Sequence, residues 1–189
     1  MKSIEIILQE CQALLRGHFK LTSGRHSDRY IEKIKIINQP DKTAILCKEL
    51  AEKLKNIEAD VIVGPAMGGI VLAFEVAKNL NKKFVFTQRK DGKMTIRSGF
   101  ALQPGQKAII IEDIVTTGGS VFEVIECLKE HQVEVSAIGV IVDRSGGKVD
   151  FGAKTEALLT ADIQSWEADE CPLCKENVPF NTPGSSDKK

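Results

Sequence analysis

The chain has 189 residues, and its 26 Lys and Arg balance 26 Asp and Glu for a formal net charge of zero. That length suits one domain with a sizeable core, and the balance excludes a strongly basic surface for nucleic acid or anionic lipid. No apolar run approaches the roughly 20 residues of a membrane helix, and Met1-Lys2-Ser3-Ile4-Glu5 lacks the apolar core of a secretory signal.

In chain order, Ser3 to Arg16 carries Ile4, Ile7, Leu8, Cys11, Leu14 and Leu15 at helical spacing, with Ser3 as N-cap and Gly17 as terminator. Gly17 to Lys33 holds two short alternating runs around a polar turn that contains Gly24, which predicts a hairpin or hood ahead of the main sheet. His18 and His26 read there as surface or turn histidines, since a single histidine without a partner signals little. Asp41 to Lys55, entered after Pro40, is a second amphipathic helix. Val61 to Val63 is a short strand, and Ala66-Met67-Gly68-Gly69 turns from it into an apolar helix, Ile70 to Leu80. The glycines have Walker A spacing, but Ile70-Val71 stand where Lys and Ser/Thr belong, and no Gly-x-Gly-x-x-Gly occurs.

Lys83 to Phe86 is the next strand, followed by a basic segment with a turn at Asp91-Gly92 and with Arg89, Lys90 and Lys93 as cations. Such a run is either solvated or mobile over an anionic leaving group. The most specific stretch follows. Ala108 to Ile111 form a buried strand that delivers Glu112 and Asp113 to its carboxyl end, and Ile114, Val115, Thr116, Thr117, Gly118, Gly119 and Ser120 lead into a helix, Val121 to Glu130. Glycines let backbone N–H groups turn inward, and the first helical turn adds unpaired donors for a phosphate. The carboxylates suit sugar hydroxyls or water on Mg2+.

Val133 to Val142 reads as a buried strand that ends at Asp143-Arg144, whose guanidinium is a natural fork for a carboxylate or carbonyl. Glu156 to Leu159 is a last strand at a sheet edge. From Trp166 onward the chain is a tail with Cys171-Pro172-Leu173-Cys174 and a polar end, Gly184 to Lys189, read as disordered. Zinc takes four ligands and no second Cys or His pair is visible in the sequence, which argues against a metal site here. Cys11, Cys47 and Cys127 fall in predicted helices as small buried residues of a reducing, cytoplasmic protein.

Four apolar residues, Glu112-Asp113, two apolar residues and Thr116-Thr117-Gly118-Gly119-Ser120 resemble the phosphoribosyl diphosphate (PRPP) signature of type I phosphoribosyltransferases. The segment with Ser23-Gly24-Arg25 and the Cys-Pro-x-Cys tail are similar to those of the orotate phosphoribosyltransferase family. The resemblance implies an α/β fold, an open parallel sheet with helices on both faces, plus a small N-terminal hood. Residues 1–165 would form one domain with the hood at about 1–40, and 166–189 the tail.

It further implies transfer of ribose 5-phosphate from PRPP to orotate, with diphosphate as the other product. Thr116 to Ser120 would hold the 5-phosphate, Glu112 and Asp113 the ribose hydroxyls, and Met67, Gly68 and Gly69 the diphosphate. Thr116, Arg144, Tyr30 and Ile31 would line the orotate site. Mg2+ would bind through PRPP and water, with no direct protein ligand. A homodimer is implied, in which loop 87–97 brings Arg89, Lys90 and Lys93 to the neighbouring site. Thr22 and Gly68 stand where other members carry cations, and the basic loop has no histidine. Two other readings share the central stretch: a purine or xanthine phosphoribosyltransferase, and a PRPP-sensing regulator without catalysis.

Overall fold

A computed structural model describes residues 3–21, 24–161 and 163–182. Thr22 and Ser23, and the polar end from Gly184 to Lys189, lie outside the described residues. The chain divides into two compact units, residues 1–39 with 162–189, and residues 40–161. Within the first unit the C-terminal segment pairs with the N-terminal one, Phe180 with His18 and Trp166 with His26.

In the first unit, α1 (Ile4–Glu10) starts at Ser3, whose hydroxyl accepts from the Ile6 N–H at 3.3 Å. The helix stops well before Arg16. Leu14 and Leu15 pair instead with Ile31 and Tyr30 in an antiparallel hairpin of β1 (Leu14–Lys20) and β2 (His26–Ile31). Cross-strand pairing overrides the helical spacing here, and Gln12 at φ 56° makes the change of direction. A short α2 (Ile34–Ile37) follows, and α6 (Pro172–Lys175) opens at Cys171.

The second unit begins with α3 (Pro40–Leu54), β3 (Val61–Pro65), α4 (Gly68–Leu80), β4 (Lys83–Lys90) and β5 (Lys93–Ile96). It continues with β6 (Lys107–Val115), α5 (Gly119–Glu130), β7 (Glu134–Asp143) and β8 (Lys154–Thr160). The sheet order is β5-β4-β3-β6-β7-β8, parallel except for β5, which returns antiparallel on β4. The last strand is at an edge, as its composition predicts.

Both faces of the central strands are covered, which explains their near-continuous apolar runs. Val61, Val63, Ile110, Ile138 and Val140 share one core with Val121, Val124 and Leu128 of α5. The opposite face meets α3. Gly139 of β7 lies opposite Ile111 of β6, and a Cβ on it would come within 2.7 Å of Ile111 Cδ1 and 2.8 Å of Leu54 Cδ1. The missing side chain lets α3 seat on the sheet. Gly139→Val is expected to overpack this layer and cost about 1–3 kcal/mol. Urea unfolding reads this as a lower midpoint, and an unchanged midpoint contradicts the packing described.

Candidate active site

The carboxyl edge of the sheet collects most of the predicted site. Strand β6 keeps β7 as a neighbour out to Val115 but pairs with β3 only through Ile110. Past that point the Asp113 N–H donates to Glu112 Oε1 at 3.0 Å, and the Ile114 N–H donates to Asp113 Oδ1 at 2.7 Å. The acids thus supply acceptors where the ladder on one side has ended. They are not loosely solvated: Glu112 is 7% exposed and Asp113 4%.

The loop after them bounds a cavity of about 300 Å³, lined by Glu112, Thr116 to Ser120 and Arg89 among others. Gly118 has φ 78° and is the N-cap of α5. A Cβ there would sit 2.6 Å from Phe151 Cε1, so the position needs glycine for both its backbone and its space. The N–H groups of Gly119, Ser120 and Val121 open α5 without intrahelical acceptors. Together with the helix dipole they make an anion cradle.

The turn from β3 into α4 closes against the same acids. The Ala66–Met67 peptide is cis, and the Ala66 N–H donates to the Thr87 carbonyl at 2.8 Å. A Cβ on Gly68 would lie 1.7 Å from Asp113 Oδ2, and one on Gly69 would lie 2.7 Å from the Ile111 carbonyl oxygen. Glycine at 68 lets the turn close onto the Asp113 carboxylate, whose Oδ2 occupies the place a side chain would take.

The basic segment is a tight hairpin, with β4 running on to Lys90 and Asp91-Gly92 at φ 53° and 80° forming the turn. Arg89 forks onto Glu123 of α5, with Nε and Nη2 donating at 2.8 and 3.0 Å. That hydrogen bonding, then the Glu123 charge, raises the Arg89 pKa above its ordinary value. Lys93 donates to Glu130 at 2.7 Å, and its pKa is raised chiefly by that bond. Lys90 is exposed at the hairpin tip.

Arg144 is half-buried, and its N–H donates to the Val115 carbonyl at 2.8 Å, which places it beside the signature loop. Asp143 is buried and organises the following turn. Its Oδ1 accepts from the Ser145 N–H and Oγ at 2.8 and 2.7 Å, and its Oδ2 accepts from the Gly147 N–H at 3.0 Å.

Glu112, Asp113, Thr116 to Ser120, Gly68, Gly69, Arg89 and Arg144 therefore gather at one edge of the second unit. Met67, at the start of α4, is 83% exposed. Tyr30 and Ile31 belong to the first unit, on β2, where Ile31 is buried and Tyr30 packs beside Phe19 at 5.5 Å between ring centroids. Sequence reasoning missed Glu123, Glu130 and the turn-forming role of Asp143. Glu123 and Glu130 stand seven apart on one helix face, the available signal, but their partners are more than thirty residues away.

Residues 33–171 match the phosphoribosyl transferase domain model. A parallel sheet with a donor loop and buried acids at its carboxyl edge is the architecture of that class. The chain is 48% identical over 179 residues to an orotate phosphoribosyltransferase of Desulforamulus reducens, covering 95% of this chain and 94% of that protein. It is 47% identical over 182 residues to one of Thermotoga petrophila, covering 96% and 97%. The crystal structure of orotate phosphoribosyltransferase from Aeropyrum pernix superposes with a TM-score of 0.72 at 24% identity, covering 84% of this chain and 94% of that one; this likeness bears on the fold. The chain belongs to the orotate phosphoribosyltransferase family.

Gly118→Ala is expected to cost about 1–2 kcal/mol of stability, because a side chain is strained at this left-handed position and would also meet Phe151. Urea unfolding reads this as a lower midpoint, and an unchanged midpoint contradicts the loop geometry described.

Proposed function

We propose that this chain transfers the ribose 5-phosphate group of PRPP to a ring nitrogen of orotate, giving orotidine 5′-monophosphate and diphosphate. The observation that carries the reading is the buried Glu112-Asp113 pair beside a loop of unpaired N–H donors. Near-50% identity along almost the whole chain supports orotate over a purine base or a sensing role.

Residues Thr116 to Ser120 bind the 5-phosphate through hydroxyls and the N-terminus of α5. Glu112 and Asp113 accept hydrogen bonds from the ribose hydroxyls. As the bond to diphosphate breaks, positive charge grows on the ribose, and the buried carboxylates stabilise it more strongly than they would in water. The turn at Met67, Gly68 and Gly69 offers backbone donors to the diphosphate, and Arg89, Lys90 and Lys93 neutralise it as it departs. Arg144 orients orotate, with Thr116 as a further contact. The attacking nitrogen belongs to orotate, so the chain supplies no strong base.

Mg2+ fits this edge as a cofactor. The carboxylate pair is a hard oxygen donor set, and Glu112 lines the cavity beside the donor loop. Glu112 and Asp113 would hold it through water and PRPP oxygens, and its charge would stabilise the diphosphate.

The working form is a homodimer in which loop 87–97 reaches the neighbouring site. Support comes from Met67, Val71 and Phe74, which are exposed apolar residues on one side of α4. For the loop cations to engage diphosphate, Arg89 and Lys93 exchange Glu123 and Glu130 for phosphate oxygens. Both are surface ion pairs of the kind that contribute little to stability, so the exchange is easy. We place the enzyme in the cytoplasm, a reading that five cysteines without a disulfide support. No helix among the described residues is long and apolar enough to cross a membrane.

Loss of orotate absorbance in the near ultraviolet, dependent on PRPP and Mg2+, tests the reaction. Turnover of a purine base in place of orotate would overturn it. Glu112→Gln with Asp113→Asn is expected to lower kcat at least about a hundredfold while leaving the circular dichroism unchanged; near-normal turnover would remove the acids from the mechanism. Arg144→Ala is expected to raise KM for orotate about ten- to a hundredfold, the size of a hydrogen bond to a charged group, with little change for PRPP. Equal effects on both substrates would end its role in base recognition.

A further inference from the structure

The two histidines of the hairpin are not surface residues, and the Cys-x-x-Cys of the tail is not alone. His18 of β1 is 1% exposed, His26 of β2 5% and Cys171 0%, while Cys174 is partly covered. One ligand atom from each of the four lies within 4.8 Å of the others. The sequence shows no second pair near Cys171 and Cys174 because the pair is contributed from about 150 residues away, by folding of the tail onto the hairpin. We infer that His18, His26, Cys171 and Cys174 bind one structural zinc ion in the first unit, joining the N-terminal hairpin to the C-terminal segment.

Four of the six separations lie close to those of a tetrahedral shell, and all six are within 4.8 Å. Zinc bonds of about 2.3 Å to sulfur and 2.0–2.1 Å to nitrogen put neighbouring ligand atoms roughly 3.3–3.8 Å apart. His18 Nε2 lies 3.4 Å from His26 Nδ1, 3.5 Å from Cys171 Sγ and 3.7 Å from Cys174 Sγ, and Cys174 Sγ lies 3.2 Å from His26 Nδ1. Four separations near one value fit a shared central ion.

The surroundings are arranged for ligation as well. His18 Nδ1 is 2.8 Å from the Val178 carbonyl oxygen. A carbonyl can only accept, so Nδ1 carries the proton and Nε2 presents its lone pair to the cluster. Such an outer partner fixes the tautomer of a metal-binding histidine. The backbones of both histidines are held by the tail. His26 and Trp166 exchange N–H to carbonyl bonds at 2.8 Å each way, the His18 N–H donates to Asn181 Oδ1 at 2.9 Å, and the Asn181 N–H donates to the His18 carbonyl at 2.7 Å. The ring of Phe180 covers the cluster, with its centroid 4.0 Å from that of His18 and 4.9 Å from that of His26.

Two thiolates and two imidazoles form a soft set that selects zinc over the hard Mg2+ of the active site. Four protein ligands leave no open position, so the role is structural. A two-stranded hairpin is marginal by itself, and the ion adds to the backbone pairing and to the Arg25 and Ser27 side-chain bonds that already join it to the C-terminal segment.

The test uses the full chain purified under reducing conditions without chelator. Elemental analysis is expected to find about one zinc per chain, and Co2+ substitution is expected to give the intense visible absorption of tetrahedral thiolate coordination. Cys174→Ser and His18→Gln should lose most of the metal and lower Tm, whereas Cys127→Ser, a buried cysteine outside the cluster, should keep it. If the ligand variants fail to fold, wild-type protein heated with a strong chelator should still show a lower Tm that added Zn2+ restores. A protein that contains no zinc and takes none up from solution overturns the proposal. So does full retention of zinc by Cys174→Ser, or a Cys171–Cys174 disulfide in the freshly purified chain. These readouts do not involve orotate turnover and stand apart from it.

Discussion

The site depends on one strand outlasting its neighbour. Because β3 turns away at Pro65 while β6 continues to Val115, the end of β6 projects into a crevice with a sheet ladder on one side only. Two carboxylates placed on that segment are buried by the folds on either side, yet remain at the mouth of a loop of N–H donors. The strand's own backbone N–H groups donate to one oxygen of each acid and hold it in place.

Glycine does different work at each wall of the crevice. Gly118 bends the chain into α5 through a left-handed conformation and leaves space for Phe151. Gly68 and Gly69 let the opposite turn press against β6. The cations are handled otherwise. They sit on a hairpin whose exposed ion pairs with α5 are weak enough to be given up to a more highly charged partner. Rigid donors and acids with exchangeable cations suit a reaction in which one anion stays bound and another leaves.

The first unit follows a different logic. Its strands are few and its hairpin short, so it lacks the layered core of the six-stranded sheet. Buried histidines and cysteines converge where a larger domain would have placed leucines, and metal coordination is the interaction that such a set can provide.

Apart from β5 and the end of β4, which read as a basic loop, the order of strands and helices in the second unit was readable from the sequence, because fully buried strands and one-sided helices write period and apolarity directly into the chain. The acid pair with its hydroxyl-glycine loop was equally readable, since every atom of that site comes from one continuous stretch, Glu112 to Ser120. The place of Arg144 at the same edge was readable because it follows the next strand. What only the tertiary structure decided were the contacts between distant segments. The partners of Arg89 and Lys93, the end of α1 at Glu10 and the meeting of His18 and His26 with Cys171 and Cys174 all depend on chain closure. Spacing along the chain records the periodicity of an element and the content of a loop, but it holds no measure of which loops a fold will bring within bonding distance.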